Sequence, residues 1–403
     1  MAGRPEPPLL ALWADTREVH ALLRDEEVPL LVSTAVEAGG YPALSPVRPS
    51  AARFERMVHD LWGHQAAGGI DARPWLDHGR WALSAPMAQR PGAAAKAGTP
   101  EFQFDDDVDQ VPLGPVLGGI QPASHLRLGV RGDRVVRLEA RLGYTHRGCL
   151  TLIRGKSPRA AARFAARLAG EATVAHALAF ARAAEDALNC DVPPRALAWR
   201  DVMLEVERAA TLLDVAASVA EAAGLDGVAT RFAWHGEAVR RAADAAFGHR
   251  LMMDCVVPGG IAADAASGGG AAIDRALVAL AAELPALAMP GLAGHAQAAA
   301  ARRLPAIEGA VHLARGLLAT LPEGPVSAAL PVASGEGLGF ASAPGGPVWH
   351  WLRLDHGQIA SVFMCDPAWA GFQALEVAMA GAPAEDLALV RASFGLSSAG
   401  ADL

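Results

Sequence analysis

The chain is poor in cysteine and never places two cysteines close together. Cys149, Cys190, Cys255 and Cys365 are its only four in 403 residues, and no pair has the two-to-four-residue spacing of a zinc or iron–sulfur site. Thiols so widely separated are expected to be reduced, small core residues of a cytoplasmic protein. A basic stripe is also missing. The formal net charge is −8 with both signs interspersed, which removes the electrostatic footprint of a nucleic-acid binder. The opening "MAGRPEPPLLALWADTREVH" lacks a positive start followed by a long apolar run, so no secretory signal is expected. The least charged window, "ALVALAAELPALAMPGLAG", carries Glu283 and two prolines, whereas a membrane span needs about 20 apolar residues. No Gly-rich dinucleotide loop follows a strand. These absences leave a globular protein long enough for two or three domains and able to bury a core without disulfides or metals. Any membrane association is expected to be peripheral or through partners.

The elements that are present change character along the chain. Residues 1–85 alternate short apolar runs with turn signals and read as a small α/β domain. Residues 86–112, rich in Gly, Pro and Ala and ending in the acidic "DDDVD" run, read as a linker. A third region, 113–403, begins with "HLRLGVRGDRVVRLEARLGY", whose alternation around "RGDR" predicts a β-hairpin. The period then becomes helical. Ser157 and Pro158 supply an N-cap and a first-turn proline, and Phe164, Leu168, Ala172, Ala175 and Ala179 follow at helical spacing until "NCDVPP" ends the helix. A second helix from about Arg195 puts Trp199, Val202, Val206 and Leu213 on one stripe, with a third around "GEAVRRAADAAFGHRLM" and a fourth in "AIDRALVALAAEL". After about residue 332 the sequence is Gly-punctuated and β-rich. The expected class is therefore α+β, with a β-hairpin or sheet region and a central helix bundle.

Two groups of motifs carry a resemblance that periodicity does not supply. "YPALSPVRPSAARFERMVHDLWGH" followed by "DARPWLDHGRW" is similar to the signature of the small α/β subunit of respiratory complex I, centred here on Glu55, Arg56, Asp60, Leu61, Trp62 and Gly63. "GGIQPASHLRLGV", "RLGYTHRG", "DVPPRALAWRDVMLEVERAATLL" and "MMDCVVPGGI" resemble the large subunit shared by complex I, where it lines the quinone site, and by energy-converting [NiFe] hydrogenases. Their order in one chain resembles the fused large subunit of formate-hydrogenlyase-type hydrogenases. The likeness is weakest over residues 262–330, which are shortened.

That resemblance implies a metal site which this sequence lacks. The hydrogenases carry a Cys-x-x-Cys pair after an arginine, and a second pair near the C-terminus, to hold nickel and iron through soft thiolates. Here Arg167 matches the arginine, but Ala169 and Ala172 stand at the first pair of positions, and Ser397 and Gly400 at the second. Complex I also lacks these cysteines. Of the groups its resemblance implies around a quinone, His125 is present, whereas the tyrosine position falls on Gly170, the acid on Ala222 beside Glu221, and a cluster-side histidine on Met253. The function so implied is a subunit of a membrane-associated, complex-I-like or hydrogenase-like oxidoreductase complex on the cytoplasmic face of the inner membrane. It would pass electrons from an iron–sulfur small subunit to a quinone or other acceptor without a nickel–iron centre of its own. Antiporter-like membrane subunits are the further implied partners, and no metal or cofactor is expected on the chain itself. The alternative is a non-catalytic scaffold that retains the hydrogenase-like shape to couple soluble and membrane modules.

Each candidate residue has a plainer reading beside the functional one. His125 is either a proton donor near neutral pH or a structural histidine satisfied by hairpin backbone. His176, two turns after Arg167, is either a polar lining residue of the former cavity or a buried, hydrogen-bonded helix residue. Arg167 either tunes a cluster in a partner or forms an ordinary salt bridge with Glu171 or Glu185. Glu205 and Arg208 read as an intrahelical pair. The histidines of "HDLWGH" and "LDHGRW" read as hydrogen-bonded packing at the domain seam rather than metal ligands. "DDDVD" reads as a solvated linker face, since it lacks the Gly and bidentate Glu of a calcium loop.

Overall fold

The computed structural model describes residues 7–25, 28–96, 98, 101–117, 121–289, 291–292 and 294–403. Residues 118–120 of the "GGIQPASH" motif and residues 97 and 99–100 of the expected linker lie outside these. The chain forms two compact units. The first comprises Met1–Thr151, Phe372–Ala380 and Ala401–Leu403, the second Leu152–Gly371 and Gly381–Gly400.

In the first unit, β1 (Leu9–Ala14), β2 (Glu18–Asp25) and β3 (Val28–Ala35) form an antiparallel sheet in sequence order. A parallel pair, β4 (Gly40–Pro42) and β5 (Gln65–Ala67), is joined through helix α1 (Ala52–Trp62). Phe54, Met57, Val58, Leu61 and Trp62 of α1 are buried, and Gly63 ends the helix at φ +76°, a left-handed conformation that glycine adopts without a Cβ penalty. The signature residues of this helix are structural clamps. Glu55 Oε1 accepts the backbone N–H groups of Leu44 and Ser45 at 2.6 and 2.8 Å. Arg56 donates to the carbonyls of Arg73 and Pro74 and to Asp71. Asp60 Oδ2 accepts from Trp75 and Leu76 N at 2.8 and 2.7 Å. Buried polar groups demand such partners, and here they tie the "DARPWLD" loop to α1.

Two short strands follow, β6 (Leu83–Ser84) and β7 (Gly92–Ala93), which pair with each other. A second sheet has the order β10-β9-β8, from β8 (Asp109–Leu113), β9 (His125–Arg131) and β10 (Arg134–Arg141). The expected hairpin is present: Arg131 pairs with Arg134 around Gly132 at φ +65°. Two of the three motif histidines are packed by hydrogen bonds, with His64 Nε2 on the Asp15 carbonyl, and His78 Nε2 on the Leu142 carbonyl while its ring stacks on Tyr144; His59 is half-exposed, 3.6 Å from Asp60. In the acidic run, exposed Asp107 meets Arg131 at 2.7 Å.

Burial of one histidine contributes to the acid response of this unit. The His146 ring lies 4.4 Å from Trp81, and burial, aided by Arg147, pushes its pKa from 6.5 down to about 4. Between these values the unfolded chain binds a proton that the folded ring refuses. The stability that neutral His146 permits is therefore complete above pH 6.5 and is lost as pH falls toward 4. Denaturant midpoints across this range are expected to fall less steeply in His146→Gln than in the parent. Equal slopes would mean that His146 is not the responsible group.

The second unit begins within α2 (Cys149–Ile153) and continues through α3 (Pro158–Ala165), α4 (Thr173–Leu188), α5 (Pro194–Ala222), α6 (Asp226–Phe247), β11 (Val256–Val257), β12 (Gly260–Ile261), α7 (Gly269–Glu283) and α8 (Gly294–Ala319). An antiparallel meander, β13 (Gly335–Ala343), β14 (Gly346–Asp355) and β15 (Gln358–Cys365), leads to the start of α9 (Ala368–Met379), whose residues from Phe372 belong to the first unit, and the second unit resumes with α10 (Leu387–Phe394). The stripe Trp199, Val202, Val206 and Leu213 is buried as expected, each residue contributing roughly 1.5–3 kcal/mol by burial. Glu205 and Arg208 approach to 3.9 Å.

Three helical expectations change. The helix predicted from Ser157 to "NCDVPP" is two helices, because the chain leaves the helical path after Ala165 and Ala169 is extended (φ −139°, ψ 124°). The third helix begins at Asp226, ten residues before "GEAVRR". Helix α8 was not expected; it carries Pro305 inside it, yet Ile307, Ala310, Val311 and Ala314 are buried and tertiary packing overrides the local cost. Close packing then fixes α4 on the meander. A Cβ on Gly339 would lie 1.9 Å from the Ala179 carbonyl oxygen, and one on Gly337 2.2 Å from that of Ala183. Glycine on the strand opposite alanine on the helix lets the two backbones meet.

Candidate functional site

The break between α3 and α4 builds the site. Ser157 Oγ accepts from Ala160 N at 3.4 Å to start α3. After the break, α4 starts without a capping side chain of its own. Its first N–H groups are taken by Glu207 of α5, with Val174 N to Oε2 at 2.5 Å and Ala175 N to Oε1 at 2.9 Å. Burial pushes the Glu207 carboxyl up to about 8 despite these two donors. The resulting turn leaves Ala169 and Ala172 buried.

His176, one turn into α4, is fully buried between two partners. Its Nε2 is 2.9 Å from Asp366 Oδ2, and its Nδ1 is 2.9 Å from His350 Nε2 on β14. Asp366 Oδ1 accepts from Ala368 N at 2.7 Å, so the same carboxylate caps α9. Burial, then His176, hold the His350 pKa well below its usual value, keeping that ring neutral. The buried, hydrogen-bonded reading of His176 describes these contacts.

The four positions implied for metal ligands hold no ligand set. Ala172 and Ser397 line a cavity of about 40 Å³ together with Glu171, Thr211, Arg303 and Asp366, room for only one or two waters. Ala169 is buried but does not line it. Gly400 abuts Asp366, where an added Cβ would lie 2.0 Å from Cγ and 2.2 Å from Oδ2. Burial, then the neighbouring Asp366 carboxylate, raise the Glu171 pKa, against a hydrogen bond from Ser397. Arg303 donates to the Ser393 carbonyl at 2.5 Å, and burial lowers it to about 10. No cysteine lines the cavity; Cys365, next to Asp366 in sequence, is buried with its thiol pushed up by desolvation. Two carboxylates, a guanidinium and two hydroxyls in this volume do not fit a nickel–iron centre held by four soft thiolates.

The other predicted residues sit elsewhere. Arg167 is half-exposed and forms a bidentate pair with Asp254, at 2.5 and 2.6 Å. Its ion-pair partner is therefore neither Glu171, which lies in the cavity wall, nor Glu185, which is held by Arg200 at 2.5 Å. In the first unit, His125 accepts from Arg127 Nε at 3.3 Å and its ring lies 5.0 Å from Phe102, so a side chain rather than hairpin backbone is its partner. Burial, then Arg127 and Arg141, lower its pKa and keep it neutral at pH 7. The first unit also has a cavity of about 830 Å³ lined in part by His59, Asp71, Arg73, His78 and Arg141.

Asp366, His350, Glu207 and Arg303 were not found from the sequence. "DPAW" carries an Asp-Pro helix start, which signals the cap on α9. Nothing local signals its contact with His176, 190 residues away.

The fold is hydrogenase-large-subunit-like. Residues 147–213 match the family described as nickel-dependent hydrogenase. Formate hydrogenlyase subunit 5 of Escherichia coli (strain K12) is 32% identical over 180 residues, which are 42% of this chain and 32% of that protein. Hydrogenase-4 component G of the same organism is 29% identical over 196 residues, 45% of this chain and 35% of its own length. An NADH-quinone oxidoreductase subunit of Helicobacter acinonychis (strain Sheeba) is 31% identical over 116 residues, 27% of this chain and 28% of its own. The matched stretches span about a third of these curated relatives. A chain of the membrane-bound sulfane sulfur reductase, an archaeal respiratory membrane complex, shares the fold with a TM-score of 0.67 at 17% identity, over 75% of this chain and 100% of that one. Among the described residues no helix is long and apolar enough to cross a membrane.

Proposed function

We propose that this chain is a subunit of a membrane-associated, complex-I-like or hydrogenase-like oxidoreductase assembly, and that it retains the large-subunit shape without a nickel–iron centre of its own. The observation that carries this reading is the contact of Gly400 with Asp366: the carboxylate, pinned by His176 and Ala368 N, takes the space a ligand side chain at 400 needs. The 40 Å³ cavity beside it favours an architectural role for this site over chemistry there. Passage of electrons from an iron–sulfur partner to a quinone is the second reading. It is favoured by half-exposed Arg167, whose guanidinium a partner can approach.

Purification of the tagged chain from detergent-solubilised membranes of its host tests the proposal, with partners identified by mass spectrometry and iron, nickel and quinone quantified in the same sample. Co-purifying iron–sulfur and antiporter-like membrane subunits, with iron but no nickel, are the expected result. Nickel stoichiometric with the chain would overturn the absence of a centre, and a chain recovered without membrane partners would overturn the assembly. Within a quinone-active complex, turnover unchanged in Arg167→Ala and His125→Ala would support the architectural role, whereas a fall of tenfold or more would establish the electron-passing one.

A further inference from the structure

A second cluster of metal-ligating side chains lies at the β1–β2 turn of the first unit. One ligand atom from each of Asp15, Glu18 and His20 lies within 4.8 Å of the others. Asp15 and His20 are buried and Glu18 is half-buried. The hairpin places them. Ala14 pairs with Val19, leaving Asp15 in the turn, while Glu18 and His20, two residues apart on β2, project from one face of the strand.

Hydrogen bonds fix both ends of the cluster. Asp15 Oδ1 accepts from the backbone N–H groups of Arg17 and Glu18 at 2.7 and 2.8 Å, which directs Oδ2 to within 3.8 Å of His20 Nε2. On the far side of the ring, His20 Nδ1 is 2.8 Å from Ser33 Oγ, on the β3 residue that pairs with it in register. A metal-binding histidine is oriented in this way, with one nitrogen held by a neighbour so that the other faces the ion.

We propose that Asp15, Glu18 and His20 form a binding site for a divalent transition-metal ion of the zinc type, with water completing the coordination. Zinc bonds of about 2.0–2.2 Å in a tetrahedral arrangement set ligand atoms roughly 3.4 Å apart, so the Asp15–His20 pair closes on the ion by a few tenths of an ångström. Two carboxylates and a neutral imidazole balance the charge of the ion, and with Ser33 behind His20 a bound ion ties the β1–β2 turn to β3. The site involves no residue of the hydrogenase-like cavity.

Titration of the full chain with Zn²⁺ against a chromophoric chelator tests this, with thermal unfolding followed in parallel. The expected result is one equivalent bound and a midpoint that rises with Zn²⁺. Asp15→Asn is the informative variant, because its amide oxygen still accepts the two turn N–H groups while the ligand charge is lost. Together with Glu18→Gln it is expected to weaken binding at least tenfold and to abolish the thermal shift, with the unliganded midpoint near that of the parent. No stoichiometric binding by the parent would overturn the proposal. So would equal binding by the D15N/E18Q chain, which would locate the zinc elsewhere, for example on cysteines.

Discussion

Asp366→Ala is expected to destabilise the second unit by about 2–5 kcal/mol, because a buried hydrogen-bonded side chain and a helix start lose the same carboxylate. Three consequences combine. His176 Nε2, fully buried, loses its acceptor at 2.9 Å, and an orphaned buried donor bears its whole desolvation cost. Helix α9 loses the cap on Ala368 N, worth about 0.5–2 kcal/mol. The vacated carboxylate also enlarges a cavity that now holds only about 40 Å³. Asp366→Asn separates these effects. Its side-chain oxygen can still cap Ala368 while its NH₂ group faces His176, which answers by accepting at Nε2 and donating from Nδ1 to His350. This variant is expected to cost about 1–2 kcal/mol and to change the imidazole ¹⁵N shifts of His176 and His350. Denaturant unfolding, followed through the tryptophans of this unit, checks the first number. A loss below about 1 kcal/mol in Asp366→Ala would show that the carboxylate does not hold the site together.

What the sequence made legible follows from the range of the forces involved. The β9–β10 hairpin, the Ser157 cap and the apolar stripe of α5 depend on residues within a few positions of one another, so pattern and turn chemistry disclose them. That no thiol stands at 169, 172, 397 or 400 is equally plain, since it concerns residue identity. What packs around these positions is not legible. Asp366 reaches His176 across 190 positions, and Arg167 reaches Asp254 across 87. Glu171 and Glu185, nearer in sequence, were the natural partners to expect for Arg167. The break between α3 and α4 was hidden for a related reason. Alanine is the strongest helix former, and in "FAARLAGEATVAHALAF" the helical period runs on across a stretch that bends so that Ala169 and Ala172 are buried. The N-terminal motif shows the opposite case: Glu55, Arg56 and Asp60 are recognisable from the sequence, and the structure explains them as clamps on backbone N–H and carbonyl groups rather than as chemistry.

Placing cysteines one by one at 169, 172, 397 and 400 is expected not to create a metal site, and the sharpest failure is Gly400→Cys. Its Cβ would meet Asp366 Cγ at 2.0 Å, and that carboxylate cannot swing aside without leaving both His176 and Ala368 N. Overpacking alone costs about 1–3 kcal/mol, and displacing Asp366 adds part of the cost of Asp366→Ala, so a total of about 3 kcal/mol or more is expected. Ala172→Cys faces no such obstacle, because its position lines the small cavity. The decisive measurement is a double-mutant cycle. Removing Asp366 makes room for a side chain at 400, so Gly400→Cys is expected to cost less in an Asp366→Ala background, with a coupling of about 0.5–3 kcal/mol. Additive costs would mean that the two residues do not compete for the same space. A chain carrying cysteine at 169, 172, 397 and 400 with Asp366 intact is expected to bind no nickel, whereas nickel binding without loss of stability would refute the packed-site account. Coupling of the predicted sign would show that the carboxylate and a side chain at 400 exclude each other. Buried His176 has its hydrogen-bond partner in Asp366, at the cost of the space a side chain at 400 would occupy.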